Sequence, residues 1–197
     1  MTIRIVGVSG SLTAPSRTTA LVQAVADTLV DALGRDIDAV SETIELSTLV
    51  GSAFAGAARK DLGEQAERAL IAVETADVIV AGSPAYRASY TGLFKHFFDY
   101  VGQYSLVDTP IVLAATGGSD RHALLVEHQM RPLFGFFQAL TLPLGIFGNE
   151  NDFTDYRVSS PDLRDRITQS TGRAIPLIRY QLRDSGRLGA VENALRG

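Results

Sequence analysis

Between Ser9 and Thr19 the chain carries six side-chain hydroxyls, those of Ser9, Ser11, Thr13, Ser16, Thr18 and Thr19, with Arg17 among them. They follow an apolar run containing Ile3, Ile5, Val6 and Val8 and lead directly into a helical pattern. A helix N-terminus leaves backbone N–H groups unpaired and carries the positive end of the helix dipole. An anion seated there gains hydrogen bonds and field together. Capping a helix takes one or two such side chains, so this many beside an arginine points to a bound phosphate. A P-loop would need Lys followed by Ser or Thr after its second glycine, and a dinucleotide fingerprint would need three spaced glycines, whereas Gly10 stands alone. What remains is a monophosphate wrapped by hydroxyls and partly neutralised by Arg17.

Two further segments have unusual composition: SPAYRASYTG at Ser83 to Gly92 and ATGGS at Ala115 to Ser119. Pro84 fixes the backbone, and the small Ala85 leaves peptide groups accessible beside Tyr86, which suits recognition of the edge of a flat heterocycle. Gly117 and Gly118 let the backbone approach the other side of such a ring. Each segment alone reads as an ordinary turn. Together with the hydroxyl loop they carry more weight, because all three follow predicted strands and open parallel sheets bind ligands at the carboxyl ends of their strands.

The elements that must position these loops alternate. Strands are expected at Ile3 to Val8, Ile37 to Leu46, Val78 to Ala81, Ile111 to Ala115 and Leu142 to Phe147. Helices are expected at Arg17 to Leu33, Asp61 to Thr75, Gly92 to Tyr100, Arg121 to Leu140 (interrupted at Pro132) and Asp162 to about Tyr180. Leu49 to Ala58 reads as a small-residue loop. This is the pattern of an α/β domain with a parallel sheet covered on both faces. One domain over 1–180 and a polar tail over 181–197 account for the 197 residues, of which 46% are hydrophobic and 20% charged.

Composition excludes several functions. With no cysteine the chain has no disulfide, thiolate catalysis or Cys-ligated metal, and this agrees with a reducing, cytoplasmic setting. A net charge of −4 argues against nucleic-acid binding. Neither a basic-plus-apolar leader nor a membrane-length apolar run is present, so no membrane association is expected. His96, His122 and His128 lack the i,i+4 spacing of helical zinc sites, and no metal is expected.

GSLTAPSR at Gly10 to Arg17, SPAYRASYTGLFKHFFD at Ser83 to Asp99 and ATGGSDRH at Ala115 to His122 jointly resemble the NAD(P)H-dependent FMN reductases of flavodoxin-like fold. The resemblance is greatest to the reductase components of two-component flavin monooxygenase systems of the alkanesulfonate and methanesulfonate type, and it runs from the first strand to about Phe147. It implies a three-layer sandwich with a five-stranded parallel sheet of order 2-1-3-4-5. It implies FMN and NADPH or NADH as cofactors, with Ser9, Ser11, Ser16, Arg17 and Thr18 at the FMN phosphate. Pro84, Ala85, Tyr86 and Arg87 would border the isoalloxazine, with Ser89 supporting their loop, and Thr116, Gly117, Gly118 and Ser119 would meet its polar edge or the ribityl chain. Many relatives have Arg where this chain has Thr13, which makes the phosphate site less cationic.

Both reacting atoms of hydride transfer would belong to the nucleotides, so no catalytic side chain is assigned. The protein would supply an open ring face, donors near the flavin N1–C2=O edge, for which the backbone of the ATGG loop is the candidate, and charge for the pyridine nucleotide, for which Arg87 and Arg121 are candidates. The resemblance implies a luciferase-like monooxygenase as partner and a homodimer or homotetramer. It also places His128, within VEHQMRP, at an inserted residue that forms a π-bulge at a subunit interface, and matches His122 to a family histidine. Tyr90, Phe94, Phe97, Phe98, Tyr100, Tyr104, Phe134, Phe136 and Phe137 read equally as core or as subunit contact. Alternative readings are a reductase of quinones, azo dyes or metal oxyanions that retains FMN, and a flavodoxin-type electron carrier.

Overall fold

The computed structural model describes residues 2–34, 37–50 and 58–185. Residues 51–57 of the small-residue loop and 186–197 of the polar tail lie outside the described residues. Five strand positions form a parallel sheet in the expected order. β1 (Ile3–Ser9) lies between β2 (Ala39–Glu45) and β3 (Val78–Pro84), and β4 (Pro110–Gly117) pairs with β3 on one side and with the fifth position on the other. The central strands β3 and β4 are buried almost end to end, the state of parallel strands covered on both faces.

Helix α1 (Arg17–Leu33) and α5 (Pro161–Asp184) cover one face; α2 (Glu64–Glu74), α3 (Gly92–Asp99) and α4 (Arg131–Phe136) cover the other. Ser16 caps α1, accepting hydrogen bonds from the Thr18 and Thr19 amides, and Leu21, Val22, Val25, Ala26, Leu29 and Leu33 recur at helical spacing on its buried side. Two glycines set how close α1 lies to the sheet. A Cβ at Gly7 would stand 2.6 Å from Val22 Cγ1, and one at Gly82 would stand 2.3 Å from Val22 Cγ2.

The fifth strand departs from expectation. Instead of one strand over Leu142 to Phe147 there are two short ones, β5 (Leu140–Thr141) and β6 (Ile146–Asn149), both paired with β4. Pro143 has no N–H to give a ladder. The carbonyls of Leu142 and Pro143 accept from Arg131 instead, at 3.1 and 3.5 Å, and Gly145 makes room for Val126, whose Cγ1 would be 2.3 Å from a Cβ there.

The helix expected over Arg121 to Leu140 is also divided. A 3₁₀ turn covers Asp120–His122, a π turn covers Val126–Met130, and α4 follows. Pro132 cannot donate the amide bond an α-helix would need, and the Arg131 N–H closes the wider ring onto the Val126 carbonyl. His128 sits at the centre of this turn, as the resemblance implied. A hairpin that the sequence did not announce, β7 (Phe153–Thr154) and β8 (Arg157–Val158), connects the sheet to α5, which runs past Tyr180 to Asp184.

Candidate functional site

The three loops meet at the carboxyl edge of the sheet. A cleft of about 380 Å³ is lined by Ser11, Thr13, Pro15, Ser16, Arg17 and Thr18 of the first loop, Pro84, Ala85 and Tyr86 of the second, Thr116, Gly117 and Gly118 of the third, and also Glu150 and Tyr156. Buried hydrogen bonds fix the loops to one another. Thr18 Oγ1 and Thr116 Oγ1 share a hydrogen bond of 2.7 Å, joining the start of α1 to the end of β4. Thr91, the N-cap of α3, donates to the Gly10 carbonyl at 2.7 Å and accepts the Phe94 amide at 3.1 Å, while its own amide donates to Ser83 Oγ at 3.1 Å. The Ala85 amide donates to the Thr116 carbonyl at 2.7 Å.

Several hydroxyls serve the protein itself. Ser9 is buried against Thr19 (Oγ to Oγ1, 2.8 Å) and is not among the cleft-lining residues. Ser16 spends its oxygen on the Thr18 and Thr19 amides, and Ser11 closes a turn with Thr13. For an incoming anion this leaves the Arg17 guanidinium, about half exposed, the exposed Thr13, and the Arg17 amide, which as the first in the helix has no intrahelical acceptor. This donor set suits a phosphomonoester.

The second loop is a tight reversal in which Tyr86 and Ser89 exchange backbone bonds of 2.7 and 3.2 Å. Arg87 and Ala88 between them have φ of 51° and 68°. Two consecutive non-glycine residues in this region cost about 1–2 kcal/mol each, strain that the flanking bonds must hold. Arg87 is exposed beside the Tyr86 ring, its Cζ 5.9 Å from the centroid, and does not line the cleft. Ser89 Oγ donates to Gln129 of the π turn at 3.3 Å, so it does support its loop.

In the third loop, Gly117 packs against Phe147 and His122, which explains the place of that histidine. A Cβ on Gly118 would meet nothing within 4 Å, leaving open space where the backbone borders the cleft. A flat ring system has room there. Ser119 precedes the 3₁₀ turn and accepts the His122 amide at 3.2 Å, again outside the cleft lining. The strand-end rule, extended to the fifth strand, would have found Glu150, which the sequence reading missed; Tyr156 comes from the turn of the β7–β8 hairpin, which that rule does not mark.

A larger groove of about 1020 Å³ adjoins the cleft along the outer face of α1 and shares Pro15, Ser16 and Tyr156 with it. It lacks the glycine and proline loops at the strand ends, so the smaller cleft is the better ligand site despite its volume. Among the described residues no cluster of acidic or histidine side chains could hold a metal ion, and no helix is long and apolar enough to cross a membrane.

Comparison with known proteins agrees with this geometry. The family model for NADPH-dependent FMN reductase matches residues 3–154. NADH-dependent FMN reductase SfnE of Pseudomonas putida is 48% identical over 175 residues, 89% of this chain and 92% of the relative. FMN reductase (NADPH) of Pseudomonas aeruginosa is 45% identical over 174 residues, 88% of this chain and 91% of the relative. The solved structure of an oxidoreductase from Corynebacterium diphtheriae aligns with a TM-score of 0.79 at 30% identity, over 90% of this chain and 98% of that one. The chain belongs to the NADPH-dependent FMN reductase family.

Proposed function

We propose that this NAD(P)H-dependent FMN reductase seats FMN in the cleft between its three loops and releases the reduced flavin to a luciferase-like monooxygenase. The observation that carries this reading is the meeting, in one cleft, of the first turn of α1 with a glycine edge whose Gly118 faces open space. The Arg17 guanidinium, the Arg17 amide and Thr13 hold the phosphate, with Ser11 and Ser16, engaged within the loop, shaping the seat around it. Pro84, Ala85 and Tyr86 border the ring on one side; Gly117 and Gly118 present backbone to its polar edge. Thr18, Thr116, Ser9 and Ser119 position the loops rather than touch the ligand, because their hydroxyls or peptide groups are engaged within the protein. Arg87, exposed at the loop tip, serves the pyridine nucleotide. Flavin, when bound, supplies the hydride acceptor for the reduced nicotinamide, so the side chains bind and orient and need not transfer a proton.

A phosphate site with one arginine and Thr13 in place of a second cation favours flavin that comes and goes over a retained group, and so favours delivery to a partner over reduction of quinones or dyes. The chain works in the cytoplasm. Phe136, 62% exposed beside a groove of about 590 Å³ between α3 and the π turn with α4, together with exposed Tyr104 and Leu124, offers the contact of a homodimer or homotetramer. Steady-state oxidation of NADH and NADPH tests the reading. Oxidation that saturates with added FMN, from colourless protein, is the expected result. A yellow protein that consumes nucleotide only with a quinone or dye would overturn delivery of free flavin.

A further inference from the structure

Glu150 is the acidic side chain among the described residues that line the cleft, and it faces the cation expected to hold the flavin phosphate. Its Oε2 lies 3.6 Å from Arg17 Nη1, and both side chains are about half exposed. Arg17 and Glu150 are the charged residues among the described residues that line the cleft, so its side-chain charges balance and the pull on a phosphate dianion is left to the start of α1 and whatever attraction Arg17 withdraws from Glu150. The backbone that carries this carboxylate is held in place. Glu150 opens a 3₁₀ turn at the end of β6, where Asp152 accepts the Asn149 amide at 2.7 Å and Asn149 Oδ1 accepts the Asn151 amide at 3.4 Å. Asn149 Nδ2 in turn donates to Asp120 at 3.0 Å, so Asp152 and Asp120 are engaged in fixing the turn while Glu150 is left to face the cleft.

We propose that Glu150 is the resident counter-anion of Arg17 and sets how weakly the flavin phosphate is held. An incoming phosphomonoester must take Arg17 from Glu150 and then remain near a carboxylate anchored on a fixed turn. Departure of the phosphate restores the ion pair, so the exchange favours release. This rests on the reading that Arg17 binds the FMN phosphate, and it adds the residue that keeps this grip loose enough for flavin to act as a passing substrate. The ring and ribityl chain carry no net charge, so the electrostatic effect of Glu150 falls on the phosphate.

Fluorescence-quenching titrations of FMN and of riboflavin, which lacks the phosphate, separate these effects in wild type, Glu150→Gln, Arg17→Gln and the double variant. An exposed ion pair contributes up to ~1 kcal/mol, and relief from a facing anion adds to it, so Glu150→Gln is expected to tighten FMN about three- to tenfold. Riboflavin binding should stay unchanged, which also reports an intact ring site. In the Arg17→Gln background the gain should shrink markedly, as expected for coupled groups. An FMN affinity unchanged in Glu150→Gln, an equal shift for riboflavin, or a full gain without Arg17 would each overturn the role of Glu150. Equal binding of FMN and riboflavin by wild type would instead overturn the phosphate seat itself.

Discussion

Replacing Thr91 by valine removes one hydroxyl from the point where the first and second loops are joined. The side chain is 1% exposed; its oxygen donates to the Gly10 carbonyl at 2.7 Å and accepts the Phe94 amide at 3.1 Å. Valine fills the same space but leaves that carbonyl and that amide unpaired out of reach of water. Each orphaned group costs about 1–3 kcal/mol, partly overlapping the ~1 kcal/mol of a lost N-cap, which gives about 2–4 kcal/mol in all. For a chain of this size the melting temperature falls roughly 2–4 °C per kcal/mol. Urea unfolding of Thr91→Val and Thr91→Ser against wild type measures this. Serine keeps both bonds and loses one methyl, so about 1 kcal/mol or less is expected. Because Gly10 opens the phosphate loop and Thr91 closes the ring loop, Thr91→Val should also raise the KM for FMN while Thr91→Ser leaves it near wild type. A Thr91→Val variant within about 0.5 kcal/mol of wild type, or a serine variant as unstable as the valine one, would refute the bridging role.

Gly118→Val should fold with its melting temperature nearly unchanged, since a Cβ there meets no atom within 4 Å, yet it should weaken FMN binding roughly tenfold or more by filling the cleft edge. Flavin titration beside a melting curve checks both halves. Glu74→Gln breaks the fork by which Arg59 bonds Glu74 at 2.6 and 2.9 Å and weakens the 2.7 Å bond from the Gly102 amide, for an expected loss of about 1–3 kcal/mol in urea unfolding. Hydrogen bonds from Arg131 hold the Glu127 pKa below its ordinary carboxylate value, and those from Arg59 do the same for Glu67. Groups depressed in the folded state stabilise it above that value, and the contribution is lost as pH falls through the folded pKa; stability measured from pH 6 downward should drop in acid, and less so in Glu127→Gln. Phe136→Glu should sediment as a smaller species than wild type if the α3–α4 face joins subunits, and identical sedimentation would remove that face from the interface.

What was legible in the sequence was mostly local. Helix α1 declared itself through Ser16 at its cap and apolar residues at helical spacing, and the three loops through hydroxyls, proline and glycine at strand ends. The break between β5 and β6 was not legible, because it depends on Arg131 reaching carbonyls 11 and 12 residues away and on Val126 occupying the space over Gly145. The β7–β8 hairpin turns on Asp155 and Tyr156 at φ of 46° and 57°, positions where Asn-Gly or Asp-Gly would have signalled it. The π turn at His128 came through family resemblance, since residue types alone do not distinguish it from a helix with a proline. Residue type alone also did not show which hydroxyls bond within the protein: Ser9 pairs with Thr19 and Thr18 with Thr116. The aromatic residues divided in a way that composition could not foresee: Phe94, Phe97, Phe98, Phe134 and Phe137 form core, while Tyr104 and Phe136 remain exposed.

A crystal structure of the chain grown with FMN tests the central claim most directly. Phosphate density is expected against the Arg17 guanidinium and amide at the start of α1, with the ring between Ala85–Tyr86 and Gly117–Gly118. Flavin bound instead in the larger groove along α1 and α5, or phosphate density away from Arg17, would contradict it.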